Sequence, residues 1–268
     1  MAIHGEPLTA GIAPAQADVL CIFVHGRTQS PEDMMEQVIG RLSVRGVSYC
    51  LPRATGNSWY AARATDALTD PTREELQNSL DYINGLVGAL RKAGGKEKPL
   101  LIGGFSQGAC LSLEYAMTFG PWNGAMVNLT GCRVGQTTDR RPAQDLDGMP
   151  VYLTGSDQDL WVPVSAFAEA SEALGRARAR LRCELFPGRT HQASEMEVAA
   201  IEICDGAETD MRMRPHIHGL VRLQDRRPHA VEKDEGADEA AADRGQRAAN
   251  GKSADIAGAG DDQMFDGV

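Results

Sequence analysis

Ser106 stands in Gly104-Phe105-Ser106-Gln107-Gly108, a serine with a glycine two residues to either side. A serine hydroxyl is a weak nucleophile near neutral pH and needs a base within hydrogen-bond reach. Histidine commonly serves, with a carboxylate behind it to fix the tautomer and stabilise the imidazolium. The chain has six histidines. His4 lies near its start, and His216, His218 and His229 fall in a polar C-terminal stretch, which leaves His25 and His191 in sequence of globular character. His191 follows an apolar run and the turn Pro187-Gly188-Arg189-Thr190, which places it at the carboxyl end of a strand and makes it the candidate base. His25, joined to Gly26 straight after another apolar run, reads instead as support for the loop that would face the developing oxyanion. Asp157 and Asp159 compete for the carboxylate role; by residue type either could serve, or simply cap the turn that follows.

These side chains need elements to position them. Leu100-Leu101-Ile102 reads as a buried parallel strand, and Cys110, Leu111, Leu113, Tyr115, Ala116 and Phe119 recur at helical spacing beyond Ser106. The serine therefore falls on a sharp strand-to-helix turn, where flanking glycines relieve crowding and the first helical N–H groups point at developing negative charge. Val19–Val24 is another buried strand, running into His25-Gly26-Arg27. Ser30 as N-cap, Pro31 and Glu32-Asp33 open a helix with Met34, Met35, Val38, Ile39 and Leu42 inward. Val47–Leu51 is expected as a strand closed by Pro52, and Leu8–Ile12 as a weaker edge strand. A long amphipathic helix is expected over Thr72–Ala93, strands over Gly124–Leu129, Pro150–Thr154 and Arg180–Phe186, and helices over Val164–Arg178 and Ser194–Ile203. Strands alternating with helices at these lengths predict an α/β fold, a mostly parallel twisted sheet covered on both faces.

Composition narrows the partners. A net charge of −10 on 268 residues argues against nucleic acid or an anionic membrane as the main partner. No long apolar span predicts a transmembrane helix, and Met1–Pro7 lacks the basic start and apolar core of a secretion signal. The six cysteines are scattered without a C-x-x-C pair, which fits small core residues in a reduced, cytoplasmic protein. Residues 205–268 contain one aromatic, Phe265, among Ala, Asp, Glu, Gly and Arg; an acidic low-complexity tail with too little apolar surface to fold is expected after a domain of residues 1–204. The His216-x-His218 pair lacks further ligands at metal-binding spacing, so no metal and no cofactor are expected. Trp59 and Tyr60, beside Gly56-Asn57-Ser58, suit a pocket wall, though Trp59 could equally plug the edge of the core.

The order Ser…Asp…His is that of the nucleophile-elbow hydrolases. The chain resembles the α/β-hydrolase fold and, within it, the phospholipase/carboxylesterase family of small serine esterases, which also holds acyl-protein thioesterases. The resemblance is carried by Phe23-Val24-His25-Gly26-Arg27, Gly56-Asn57-Ser58-Trp59-Tyr60, Gly104-Phe105-Ser106-Gln107-Gly108-Ala109, Asp159-Leu160-Trp161-Val162-Pro163 and Phe186–His191, and covers about residues 18–204 in the family's order. It implies Ser106 as nucleophile and His191 as base, and selects Asp159, three residues before the Val-Pro dipeptide, as the acid. It places the oxyanion hole at the backbone N–H groups of Arg27 and Gln107, and points to His25, Trp59, Tyr60 and Trp161 as substrate-contacting residues. The expected substrate is a small or short-chain carboxylic ester in a shallow, open pocket, the alternatives being an acyl-protein thioesterase or lysophospholipase-type hydrolase and a non-catalytic binding protein on the same fold; a homodimer is an admissible assembly. The acidic tail is not part of the family pattern.

Overall fold

Val19–Val24 (β2) shows how the sheet is built. Successive side chains on a strand point to opposite faces. Leu20, Ile22 and Val24 enter one core cluster, while Cys21 and Phe23 enter a second on the other side. A strand apolar on both faces has to be sandwiched, and the helices supply the two covers. The computed structural model describes residues 4–201, and the expectation for residues 205–268 lies outside them.

The other strands are Gly5–Gly11 (β1), Val47–Arg53 (β3), Leu100–Phe105 (β4), Gly124–Leu129 (β5), Pro150–Ser156 (β6) and Arg180–Phe186 (β7). They form one sheet in the order β1-β3-β2-β4-β5-β6-β7, in which β1 runs antiparallel to β3 and every other pairing is parallel. The helices are Pro31–Gln37 (α1), Asp70–Gly94 (α2), Gln107–Phe119 (α3), Val164–Arg176 (α4) and Glu195–Ala200 (α5). Ile83 of α2, Leu111 of α3 and Leu174 of α4 pack into the first cluster. Met34 of α1 and Val198 of α5 pack into the second.

Boundaries differ from expectation for local reasons. β4 extends beyond its apolar triplet because Gly103 and Gly104 stay in register between Phe23-Val24 on one side and Val127-Asn128 on the other. β3 continues through Pro52, which sits past its last pair with β2 and within an irregular stretch of its pairing with β1, so its missing N–H breaks no regular ladder. α1 ends one turn early and tightens into a 3-10 turn over Ile39–Arg41, yet still buries Val38 and Ile39. α2 starts at Asp70 because Thr69 caps it, its hydroxyl accepting the Thr72 N–H. Ser106, Asp159 and His191 all follow the carboxyl ends of parallel strands, β4, β6 and β7, and Arg27 follows β2. The topology alone gathers them on one rim.

Candidate active site

Ser106 occupies the turn between β4 and α3 with φ +53° and ψ −120°, a conformation L-residues rarely adopt. The flanking glycines are demanded by contact. A Cβ at Gly104 would stand 2.5 Å from the Gly108 carbonyl carbon, and one at Gly108 only 2.2 Å from the Val24 carbonyl oxygen. The backbone is held by the Ser106 N–H donating to the Leu129 carbonyl and by its own carbonyl accepting from Cys110.

Ser106 Oγ lies 2.7 Å from His191 Nε2, and His191 Nδ1 lies 2.7 Å from Asp159 Oδ2. The other Asp159 oxygen accepts the N–H groups of Trp161 and Val162 at 2.8 and 2.9 Å. Burial pushes this carboxyl up, but the bonds from His191, Val162 and Trp161 outweigh it and hold it below the usual carboxylate range. Asp157 is turned elsewhere: its carboxylate accepts the Gly188 N–H at 2.7 Å and ties β6 to the β7 turn. The ring of Phe105 packs against His191 with centroids 5.1 Å apart. A hydroxyl bonded to an imidazole that is bonded in turn to an ionised carboxylate can pass its proton to that imidazole as it attacks a carbonyl.

Ser106 and His191 open onto a cavity of about 550 Å³, also lined by Arg27, Tyr60, Gln107 and Trp161. Gln107 is the first residue of α3, so its N–H belongs to the helix end that has no intrahelical acceptor. Leu160 is 94% and Trp161 63% exposed at the mouth. Among the described residues no three His, Cys, Asp or Glu side chains converge as metal ligands, and no helix is long and apolar enough to cross a membrane.

A profile of the phospholipase/carboxylesterase family matches residues 12–203. The chain belongs to this family. A phospholipase/carboxylesterase from Dyadobacter fermentans, 27% identical, superposes with a TM-score of 0.69 over 75% of this chain and 96% of its own. A Bacillus cereus carboxylesterase (16% identity, TM-score 0.59, 74% and 91% covered) and the Zea mays acyl-protein thioesterase 2 (14%, 0.57, 74% and 96%) share the fold. No curated protein matches the chain significantly. This member of the phospholipase/carboxylesterase family is an α/β-hydrolase that acts on ester bonds.

Two of the residues expected at the substrate sit behind the pocket wall of this esterase instead. His25 is fully buried; its Nδ1 bonds the Gly26 carbonyl at 2.7 Å and its Nε2 accepts the Ala54 N–H at 3.1 Å. Burial lowers its pKa, and those two bonds are the pattern of a neutral imidazole. Trp59 is buried against that ring, donates its indole N–H to the His25 carbonyl at 2.8 Å, and plugs the core. Tyr60 and Trp161 do line the cavity. The side chains of Arg27 and Gln107 both grip the wall that carries Tyr60. Arg27 donates to the carbonyls of Tyr60, Ala61 and Ala62, while Gln107 donates to the Tyr60 carbonyl at 2.7 Å and accepts the Trp59 N–H at 3.1 Å.

Sequence reading missed one cluster. Arg189 is buried, and its guanidinium donates to the carbonyls of Thr190 and Gln192, the two neighbours of His191, and to the Thr130 hydroxyl at 2.7 Å. Glu197 stands 3.5 Å from Arg189 Nε, fully buried, and also accepts from the Thr154 hydroxyl and caps α5 through Ser194. The local signal was Ser194-x-x-Glu197, a capping box; nothing in it announced a brace for the histidine loop.

Proposed function

We propose that this hydrolase is a serine carboxylesterase of the cytoplasm, acting on small or short-chain carboxylic esters through an acyl-enzyme, with residues 1–204 as its catalytic domain. The observation that carries the reading is the unbroken hydrogen-bonded chain from Ser106 Oγ through His191 to Asp159, each link 2.7 Å. In this mechanism Ser106 Oγ attacks the ester carbonyl while His191 Nε2 takes its proton. Asp159 holds the Nδ1–H tautomer and stabilises the imidazolium. The N–H groups of Arg27 and Gln107 receive the oxyanion, at about 3 kcal/mol of transition-state stabilisation each. His191 then protonates the leaving alcohol, the acyl-enzyme forms, and water deacylates it through the same base. Tyr60 and Trp161 contact the substrate. Among the described residues five cysteines, Cys21, Cys50, Cys110, Cys132 and Cys183, are unpaired, which supports the cytoplasmic assignment.

The test is hydrolysis of p-nitrophenyl esters of graded chain length with Ser106→Ala and His191→Ala as controls. Each variant is expected to lose several orders of magnitude in kcat while unfolding at the wild-type temperature. Retained activity in Ser106→Ala overturns the reading. A thioesterase reading is favoured by one observation: Leu160 and Trp161 offer exposed apolar surface at the mouth, where a long acyl chain could lie. Long acyl thioesters cleaved in preference to short esters would move the assignment there.

A further inference from the structure

The cavity beside Ser106 has an unusual charge for this molecule. Among the described residues its wall includes two arginines, Arg27 and Arg63, and no aspartate or glutamate, on a chain whose net charge is −10. Elsewhere on the fold Arg53, Arg133, Arg141 and Arg189 are each matched by a carboxylate within ion-pair distance. Among the described residues neither Arg27 nor Arg63 has such a partner. The nearby carboxylates bond to other groups and make no ion pair with either arginine. Asp159 is bonded to His191, Glu75 accepts the Ala61 N–H, and Asp66 accepts the Arg63 N–H.

Arg27 is a fixed cation. Its guanidinium spends three donated bonds on the carbonyls of Tyr60, Ala61 and Ala62, all neutral acceptors, so those bonds bring it no counter-charge and part of its five-donor fork is left over. Arg63 follows directly on the same wall and is exposed. A concave site lined by one sign of charge concentrates ligands of the other, and an acidic exterior sharpens the contrast.

From this we infer that the preferred substrate of the esterase is an anionic ester, one carrying a carboxylate or phosphate on its acyl or its alcohol part, bound by Arg27 and Arg63. The inference rests on the serine esterase reading and adds the substrate's charge to it. Cleavage is ordinary hydrolysis: the acyl–oxygen bond breaks, water supplies hydroxyl to the acyl group and a proton to the alcohol, and the anionic group is held without reacting.

Two matched pairs of esters test it. For the acyl side, p-nitrophenyl hydrogen adipate is compared with its methyl ester; the adipate chain is long enough that its own carboxylate does not cleave the ester rapidly. For the alcohol side, 4-butyryloxybenzoate is compared with methyl 4-butyryloxybenzoate, each rate being normalised to hydroxide hydrolysis. An anionic member favoured about tenfold in kcat/KM is expected in at least one pair, falling toward unity as salt is raised from 20 to 500 mM. Arg63→Glu is expected to reduce that ratio about tenfold, chiefly through KM, and Arg63→Gln by less. Ratios at or below one in both pairs overturn the anionic preference while leaving the esterase reading intact, provided the neutral members are cleaved in a Ser106-dependent way. A preference that Arg63→Glu does not move overturns the assignment to this wall. Absence of Ser106-dependent cleavage of all four esters overturns both readings.

Discussion

Replacing Asp159 by asparagine isolates the role of one proton. Asp159 Oδ1 accepts two backbone N–H groups, from Trp161 and Val162, and Oδ2 faces His191 Nδ1. In Asp159→Asn the amide oxygen has to keep the two backbone donors, because turning the NH2 toward them would break both bonds in a buried site. The NH2 therefore faces Nδ1 and donates to it. The imidazole is forced into the tautomer that carries its proton on Nε2, aimed at Ser106 Oγ, and it can no longer take the serine proton. A triad locked in the wrong tautomer loses about 10³–10⁴ in kcat, or roughly 4–5.5 kcal/mol of barrier. KM should change little, since no substrate contact is removed. Asp157→Asn, which leaves the His191 partner intact and loses one contact to the Gly188 N–H, should stay within a few-fold of wild type. Steady-state hydrolysis of p-nitrophenyl butyrate measures both. A loss smaller than tenfold in Asp159→Asn, or a larger loss in Asp157→Asn, refutes the assignment of the acid.

Arg189→Met should lower kcat tenfold or more by freeing the carbonyls on either side of His191, and should also destabilise the fold by leaving Glu197 buried and unpaired. Adding Glu197→Gln should recover thermal stability without recovering kcat; recovery of both would reduce the pair to a structural role. Burial lowers the pKa of His25 and His4, so between the ordinary imidazole value of about 6.5 and the folded value the unfolded chain binds more protons than the native one. Stability should therefore fall as pH drops below about 6.5, and a chemical-denaturation series from pH 8 to pH 5 should show a shallower fall in His25→Gln. Glu114→Gln should cost about 3–5 kcal/mol in a urea titration, because Arg133, 2.7 Å away and equally buried, would lose its counter-charge; a cost below 1 kcal/mol would show that Arg133 re-partners.

Much of this arrangement can be read from residue order, because strand and helix periods are local and the elbow is dictated by short-range contact. Gly104, Ser106 and Gly108 declare the turn before any coordinates are known, since only glycine survives within 2.5 Å of neighbouring backbone. His191 was reachable by elimination among a few histidines. Asp159 was not separable from Asp157 by chemistry, as both follow the same strand and differ only in which way the turn throws them; the choice came from a resemblance. For Trp59 the sequence leaves pocket wall and core plug equally open, because polar neighbours suit the first and an indole suits either; its N–H bond to the His25 carbonyl, a contact across 34 residues, decides for the plug. The Arg189–Glu197 brace was invisible for a related reason: its partners come from β6, the β7 turn and α5, and convergence of that kind leaves no periodic trace.

The grip of Arg27 and Gln107 on the 59–62 segment has an evolutionary corollary. The two residues proposed to supply the oxyanion donors also anchor, with their side chains, the segment that carries Tyr60 into the cavity wall. Enlarging that surface to admit a bulkier ester would slacken the donors as well. A broadened specificity in this lineage should therefore come with slower turnover, unless a compensating change re-tethers the segment from its far side, where Ser79 already holds the Trp59 carbonyl.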